Sequence, residues 1–308
     1  MTITTPRAGS PVGPEPGSWI LEPHMSRRRR VVNSLATAWM VGAVLFALVP
    51  LVVIVGYVVV RGAGVIDLGF LTGDIPIVTQ FAGGGIAPAI VGTLVITATA
   101  ACMAIPLGIL AAVYLNEYGG QKPLARLIRF MADVMTGVPS IVMGLFVATI
   151  WVSGGLRLGY SGFAGSLALA ALMLPIVIRS TEEMLRLVPD DIRQASDALG
   201  ARRWRTVMSV TLPAALPGIV SGAMLAVARA AGETAPLLFT IGITRKANWN
   251  PFEGTNTALS QEIWNNAQQP FVAAQDRAWG AALTLIVLVF ACTIVARAVA
   301  ARFSMARR

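Results

Sequence analysis

The sequence contains few of the residues that build most metal and nucleotide sites. It has one histidine, His24, in a Pro- and Gly-rich segment, which argues against a histidine-based metal or proton site. Its two cysteines, Cys102 and Cys292, lie within apolar runs, where we expect small buried side chains and no disulfide. The only lysines, Lys122 and Lys246, precede Pro and Ala, so the Gly-Lys-Ser/Thr loop that cradles a nucleotide phosphate is missing. We expect no metal, no cofactor and no nucleotide hydrolysis by this chain.

Acidic residues are also scarce, and this bears on enzymatic activity. A membrane-embedded enzyme would need a cluster of His, Cys, Asp or Glu near the membrane surface. Only Glu182, Glu183, Asp190 and Asp191 approach such a cluster. We interpret these acids as residues at helix starts, where a negative charge stabilises the helix dipole. The sequence therefore predicts a protein that is not an enzyme.

Apolar residues, by contrast, are abundant. They make up 56% of the chain, charged residues make up 13%, and the mean hydropathy is +0.71. A membrane helix needs about 20 mainly apolar residues. Five runs without charge or histidine are long enough, namely Val31 to Val60, Ile86 to Asn116, Val134 to Leu156, Leu158 to Ile178 and Ala278 to Ala296. A sixth, Pro217 to Thr244, is apolar except for Arg229 and Glu233. We predict an all-α integral membrane protein with about six transmembrane helices.

The net charge of +9 does not indicate a nucleic-acid partner, because in a membrane protein the placement of Lys and Arg sets the orientation. With the N-terminus inside, most basic residues fall on inside segments. The outside ones are Arg61, Arg157, Arg245, Lys246 and Arg277. This bias predicts six spans in the cell (inner or plasma) membrane, in contact with lipid, with both termini in the cytoplasm.

The chain divides by composition into five segments. Residues 1–30 show no apolar signal-peptide core, so we expect a disordered cytoplasmic tail. The polar, Gly-rich stretch after the first span predicts an extracytoplasmic loop. The other predicted segments are 31–60 as the first transmembrane helix, 61–85 as that loop, 86–300 as the main transmembrane domain with a cytoplasmic loop at 181–213, and 301–308 as a cytoplasmic tail.

The loop between the fourth and fifth spans predicts two short helices. Pro189 suits a first helical position, and Gly200 ends the first helix. The second, Ala201 to Leu212, is amphipathic and is expected to stop at Pro213. Neither is long enough to cross a membrane. By spacing alone, the two helices either dock into a groove of a partner protein or lie on the membrane surface against anionic lipid headgroups.

The run QASDALGARRWRTVMSVTLP, Gln194 to Pro213, resembles the EAA loop of ABC import permeases. In that pattern Glu-Ala-Ala is followed after three residues by Gly, and after nine more by Ile, one residue and Leu-Pro. The spacings match, although Gln194 replaces the Glu and removes any ion pair from that position. The resemblance implies a type I ABC importer permease (MetI-like) fold and a loop that inserts into a cleft on an ATPase subunit. The coupling residues it implies are Gln194, Ala195, Ser196, Gly200, Leu212 and Pro213.

Arg229 and Glu233 lie near the middle of the predicted fifth span. Each charge at a bilayer centre costs about 3 kcal/mol on insertion scales, so chance placement is improbable. Their i, i+4 spacing puts both side chains on one helix face. Three interpretations remain open, namely a structural ion pair, a proton relay, and the lining of an anion path. A relay needs further titratable groups inside the spans, whereas a guanidinium fork matches phosphate oxygens.

The sequence around this pair resembles the PstA family, permease subunits of phosphate-specific ABC transporters. The matching runs are RAAGETAPLLFT (229–240), PSIVMGLF (139–146), GGIAPAIVGTL (84–94) and TEEMLRLVP (181–189). The resemblance implies a phosphate path that includes Arg229, Glu233 and Thr234. It also implies a PstC-like permease as heterodimer partner, a PstB-like ATPase dimer and a PstS-like extracytoplasmic phosphate-binding protein. The alternatives are a sulfate or molybdate ABC importer, and a secondary transporter or channel.

Overall fold

The computed structural model describes residues 27–305, with side chains up to residue 298. Residues 1–26 of the predicted N-terminal tail lie outside the described residues, and the predicted tail 301–308 is described only to Met305, as helix. The described residues form helices joined by turns and loops. The helices are α1 (Arg27–Ala63), α2 (Leu68–Thr72), α3 (Ala87–Val113), α4 (Pro123–Gly137), α5 (Ser140–Val147), α6 (Gly162–Arg186), α7 (Asp190–Ala198), α8 (Arg203–Thr206), α9 (Leu212–Ala231), α10 (Leu259–Ala267) and α11 (Val272–Met305).

Three π-helical turns interrupt this set. They lie at Tyr114–Gly119, after α3, at Ala148–Ser153, after α5, and at Val207–Thr211, between α8 and α9. Such turns hold one surplus residue within a helix and occur often at functional sites. The first two lengthen α3 and α5, and the third makes α8 and α9 one helical path.

Five helical stretches of the described residues are long and apolar enough to cross a membrane. They are Arg27–Ala63, Ala87–Gly119, Gly162–Arg186, Arg203–Ala231 and Val272–Ala298. A sixth span results if Pro123–Gly137 and Ser140–Ser153 are counted together. The prediction of about six transmembrane helices in an all-α protein is confirmed.

The apolar run Val134 to Leu156, predicted as one membrane helix, is divided between two helices. The chain bends by 106° between α4 and α5. Val138 is extended because it precedes Pro139, whose ring excludes the helical conformation from the residue before it. A break forced by proline therefore replaces the continuous helix that hydropathy predicted.

The chain divides into two compact units, and the boundary in the sequence falls within α1, between Val55 and Gly56. After Arg27 to Arg30, the described part of the first unit is mainly apolar, and its large side chains, such as Trp39 and Phe46, are exposed. A helix of this kind is suited to hydrocarbon and not to water. Cys102 and Cys292, in the second unit, are also exposed on their helices, so the prediction that both are buried is wrong. In a membrane protein an apolar run places residues against lipid as readily as in a core.

Helices α3, α6 and α9 build the main core of the second unit. The buried cluster combines Ile96 and Ala100 of α3 with Met173 of α6 and Ala226 and Ala230 of α9. Small residues allow these helices to approach closely, as membrane helix packing requires. At Gly222, for example, a Cβ would collide with the Ser180 side chain.

The segment after α1 is anchored to α11. Phe70 of α2 is buried together with Ile86 and Leu259. Arg277, which is almost completely buried, donates hydrogen bonds to the carbonyls of Phe81 (2.9 Å), Gly83 (3.2 Å) and Thr79. The predicted loop 61–85 is therefore a folded element with a fixed course.

Candidate substrate path and coupling loop

Helix α9 ends between the two charged residues of the predicted path. Its last residue is Ala231, and Gly232 caps it, so Arg229 lies in the last turn and Glu233 lies beyond the helix. The interpretation that both residues share one face of a continuous helix is wrong. The cause lies in Gly232 and Pro236, because glycine favours helix ends and proline cannot continue a helix. The predicted fifth span, Pro217 to Thr244, is therefore a helix followed by an irregular segment.

Arg229 and Glu233 nevertheless stay close. Arg229 Nε lies 3.6 Å from Glu233 Oε1, and the side chains are 70% and 20% exposed. This is a loose ion pair, since a charge-assisted hydrogen bond has a donor–acceptor distance of about 2.7–2.9 Å. Most of the guanidinium fork is therefore free to meet another group.

The irregular segment after Gly232 is held in place on two sides. Ser260 of α10 donates a hydrogen bond of 2.9 Å from Oγ to the carbonyl of Glu233. On the other side, Gly144 of α5 lies so close to Pro236 that an added Cβ would stand 2.9 Å from the Pro236 carbonyl oxygen. The carbonyl of Thr234, itself half-buried, accepts from the backbone N–H of Leu237 at 3.1 Å. The chain between Glu233 and Leu237 is thus fixed by backbone contacts.

In the predicted coupling loop, residues 190–208, from α7 through α8 to the start of the π turn Val207–Thr211, form a largely exposed projection. Gln194 and Ala195 are exposed and Ser196 is half-buried. Gly200 has φ +77°, a conformation that glycine adopts without strain. Ser196 Oγ and Thr206 Oγ1 share a 2.9 Å hydrogen bond that ties α7 to α8 across this turn. The projection also carries exposed apolar side chains, namely Ile192, Leu199, Trp204 and Met208.

The second predicted loop helix does not stop at Pro213. The path from Arg203 to Ala231 is one helix of 29 residues, in which Leu212 and Pro213 begin α9. Pro213 has no backbone N–H to donate, and the π turn before it accommodates this gap. In that turn the hydrogen bonds reach back five residues instead of four, as from the Leu212 N–H to the Val207 carbonyl. Leu212 is half-buried against a cluster that contains Leu185 and Ile219. The six residues implied in coupling therefore separate, with Gln194, Ala195, Ser196 and Gly200 on the projection and Leu212 and Pro213 at its base.

Sequence reasoning missed a buried acidic group at the end of α6. Glu182 is 2% exposed and accepts hydrogen bonds from Arg129 Nε at 3.0 Å and Arg186 Nη2 at 2.7 Å. Arg179 Nη1 lies 3.8 Å from its other oxygen. The interpretation of Glu182, like that of its neighbour Glu183, as a residue at a helix start is wrong, since it lies in the last turns of α6. Its partner Arg129 is 53 residues away in sequence, so no local pattern could reveal the contact.

A second buried acid lies in the π turn after α3. Glu117 accepts hydrogen bonds from Asn116 Nδ2 at 2.8 Å and from Arg193 Nη2 of α7 at 3.3 Å. Glu117 and Glu182 lie in the end turns of two helical stretches that are long enough to cross a membrane, Ala87–Gly119 and Gly162–Arg186. Both acids are paired with arginine.

A third acid, Glu262 of α10, lines a cavity of about 510 Å³ together with Arg245 and Trp264. Burial raises the pKa of the Glu262 carboxyl, while a 2.6 Å hydrogen bond from Asn266 and the charge of Arg277 oppose this rise. The carboxyl therefore keeps its proton to a higher pH than an exposed glutamate.

The fold and sequence place this chain in a known class. The sequence model of the family "Binding-protein-dependent transport system inner membrane component" matches residues 104–307, and the chain belongs to this family. Two solved structures share its fold, an inward-facing MetNI methionine ABC transporter (TM-score 0.54, 20% identity, 71% of this chain and 94% of that one) and a bacterial alginate ABC transporter (TM-score 0.58, 16% identity, 89% and 99%). The chain is thus a multi-pass inner-membrane permease with the type I ABC importer (MetI-like) fold, a transport component and not an enzyme.

More similar relatives point to one branch of that family. The chain is 46% identical to the phosphate transport system permease protein PstA of Mycobacterium leprae, over 88% of each chain. It is 45% identical to PstA 1 of Mycobacterium tuberculosis strain H37Rv, over 92% of each chain. It is 41% identical to PstA of Yersinia pestis, over 89% of this chain and 92% of that one. The predicted resemblance to the PstA family is confirmed.

Proposed function

We propose that this chain is the PstA-type permease subunit of an ATP-driven phosphate importer, and that Arg229, Glu233 and Thr234 line its phosphate path. The assignment is supported by the PstA relatives, which match about nine-tenths of the chain. The observation that carries the site is the exposed, loosely paired guanidinium of Arg229 at the broken end of α9. A sealed structural ion pair would instead bury both side chains.

The chemistry of the pair suits a briefly held oxyanion. Arginine is permanently charged, and its planar donor fork matches phosphate oxygens. Glu233, 3.6 Å away, partly neutralises that charge, so phosphate binds without being trapped. The Glu233 carboxylate also accepts a hydrogen bond from protonated phosphate and repels sulfate, which has no proton to donate at neutral pH.

The remaining parts of the proposal follow from the family. A PstC-like permease completes the path, and a PstS-like protein delivers phosphate to the extracytoplasmic side. A PstB-like ATPase dimer receives the projection formed by α7, α8 and the turn at Gly200, whose exposed apolar side chains suit a groove. Both termini are then cytoplasmic, segment 86–300 is the permease domain, and 181–213 is its coupling loop.

The test is phosphate uptake by the assembled transporter in proteoliposomes, with Arg229→Gln compared with Arg126→Gln. Arg126 is exposed on α4 and lies outside the path, so it controls for loss of one positive charge. We expect at least about a tenfold loss of uptake in Arg229→Gln, because a lost charge-assisted contact exceeds the 1.4 kcal/mol that corresponds to tenfold. The control should transport normally.

Two further measurements decide between the proposal and its alternatives. Copurification with the ATPase and the sister permease verifies that Arg229→Gln assembles. Normal uptake in that assembled variant would make the pair structural. Equal competition by sulfate or molybdate in wild type would favour another oxyanion importer, and uptake without ATP would favour a secondary transporter or channel.

A further inference from the structure

The π turn Tyr114–Gly119, after α3, carries the buried carboxylate of Glu117, which is 6% exposed. Its Oε1 atom accepts one hydrogen bond from the neighbouring Asn116 and one from Arg193, which is 76 residues away in sequence. The second bond joins the end of α3 to α7. A carboxylate buried this deeply is costly unless it is paired, so the arginine is required in its place.

Arg193 binds three segments at once. Its Nη1 atom donates to the Val188 carbonyl at 2.7 Å and to Asp190 at 2.9 Å. Its Nη2 atom donates to the Leu185 carbonyl at 2.7 Å and to Glu117 at 3.3 Å. The guanidinium thus connects α7 with the end of α6 and with the turn after α3. Because its side chain is 18% exposed, water competes weakly for these bonds.

Helix α3 leads from this contact to the candidate path. Ile96, Ala100 and Ala104 of α3 pack in one buried cluster with Ala226 and Ala230 of α9. Ala230 is the residue next to Arg229. A displacement of α7 that reaches the turn at Glu117 can therefore pass along a packed helix to the broken end of α9.

We propose that Glu117 and Arg193 are positioning residues that couple movement of α7 to α3, so that ATP-driven displacement of the loop reaches the substrate path. This inference rests on the proposed function, in which α7 meets the ATPase. What goes beyond the proposed function is the ionic contact between Arg193 of α7 and Glu117 in the turn after α3. The bonds of Arg193 to the carbonyls of Leu185 and Val188 hold α7 at its base without involving α3.

Glu117→Gln tests this link with little change in shape. The amide can still accept from Asn116 and Arg193, but the contact loses its ionic character, and a charge-assisted bond is about twice as strong as a neutral one. The control is Glu183→Gln, the same substitution at an exposed residue of α6. The assembled transporter in nanodiscs or proteoliposomes gives two readouts, namely ATP hydrolysed per phosphate imported, and amide hydrogen exchange of residues 190–199.

In Glu117→Gln we expect several-fold more ATP consumed per phosphate and faster exchange in α7, with ATPase copurification retained. Glu183→Gln should match wild type in both. A wild-type ratio and wild-type exchange in Glu117→Gln would overturn the proposal. If that variant does not assemble, Glu117→Asp decides by the same readouts, because the shorter side chain keeps the charge but moves the carboxylate away from Arg193, whose bonds to Leu185 and Val188 stay intact. A wild-type transporter that imports no phosphate would refute the proposed function, whereas the exchange comparison would still decide the role of Glu117.

Discussion

Glu182 offers the most direct test of how the end of α6 is held. Its carboxylate accepts hydrogen bonds from Arg129 and Arg186, and Arg179 lies near its second oxygen. Arg129 also donates to the carbonyls of Leu115 (3.0 Å), within the π turn after α3, and Gly120 (3.2 Å), which caps that turn. Glu182 therefore fixes α6, α4 and that turn relative to one another.

The substitution Glu182→Gln removes the charge while preserving the volume. Two hydrogen bonds to a charged group contribute about 1.5–3 kcal/mol each, which sets an upper limit near 6 kcal/mol. The amide retains weaker bonds, and the three arginines are between 27% and 58% exposed, so water screens them after the change. We therefore expect a loss of about 2–3 kcal/mol in the free energy of unfolding.

The assay is reversible unfolding of the purified protein in mixed micelles, with denaturing detergent as titrant. Glu183→Gln is the matched control, because Glu183 is exposed and follows Glu182 directly. It should stay within about 0.5 kcal/mol of wild type, as surface substitutions usually do. If Glu182→Gln stayed equally close to wild type, the buried carboxylate would not be holding these segments together.

Three further changes follow from the geometry. Gly200→Val should uncouple ATP hydrolysis from phosphate uptake, because a β-branched residue at φ +77° distorts the turn between α7 and α8. Gly144→Ala should lower uptake and cost about 1–3 kcal/mol in the free energy of unfolding, since its methyl group would collide with Pro236. The melting temperature of the wild type should fall as the pH rises from 4.5, the ordinary pKa of a glutamate, through the raised pKa of Glu262. In that interval the folded state binds more protons than the unfolded state, and Glu262→Gln should remove the dependence.

Each of these three predictions has its own control and its own contradicting result. Gly200→Asn should stay coupled, since asparagine tolerates positive φ, and coupled transport in Gly200→Val would contradict the docking role of the loop. Gly137→Ala is the control for Gly144→Ala, because a Cβ at Gly137 meets no neighbour. Equal stability of both alanine variants would show that α5 can move away from Pro236. For Glu262, parallel pH profiles of wild type and Glu262→Gln would assign the dependence to other groups.

The sequence was sufficient to predict most spans, because a membrane-spanning helix can be recognised from the length and hydropathy of its residues. It was not sufficient to predict how two of them break. Pro139 and Gly232 were visible, but hydropathy continues across both, and the 106° bend depends on where α4 and α5 pack. The break after Ala231 needed α5 and Ser260 to hold the irregular segment, and these contacts lie far apart in the chain.

The candidate site could also be predicted only in part, because some of its contacts join residues that lie far apart in the chain. Arg229 and Glu233 stand out as charges in an apolar run, so their proximity was expected, although the helix between them was not expected to end. Glu117 and Glu182 lie at span ends, where charge is ordinary, and their arginine partners are 76 and 53 residues away. Only the packing of α3, α4, α6 and α7 brings these groups together.

The turn Val207–Thr211 has one more consequence. Each residue of an α-helix advances about 100° around the axis, so the surplus residue held in this turn fixes the rotational phase of everything before it against α9. If this turn became regular α-helix with all its residues kept, a continuous rod would still run from Arg203 to Ala231, but Trp204 would rotate by about 100° around the axis relative to α9. A related chain with the same loop residues and no such turn would therefore present those residues in a direction about 100° away around the helix axis.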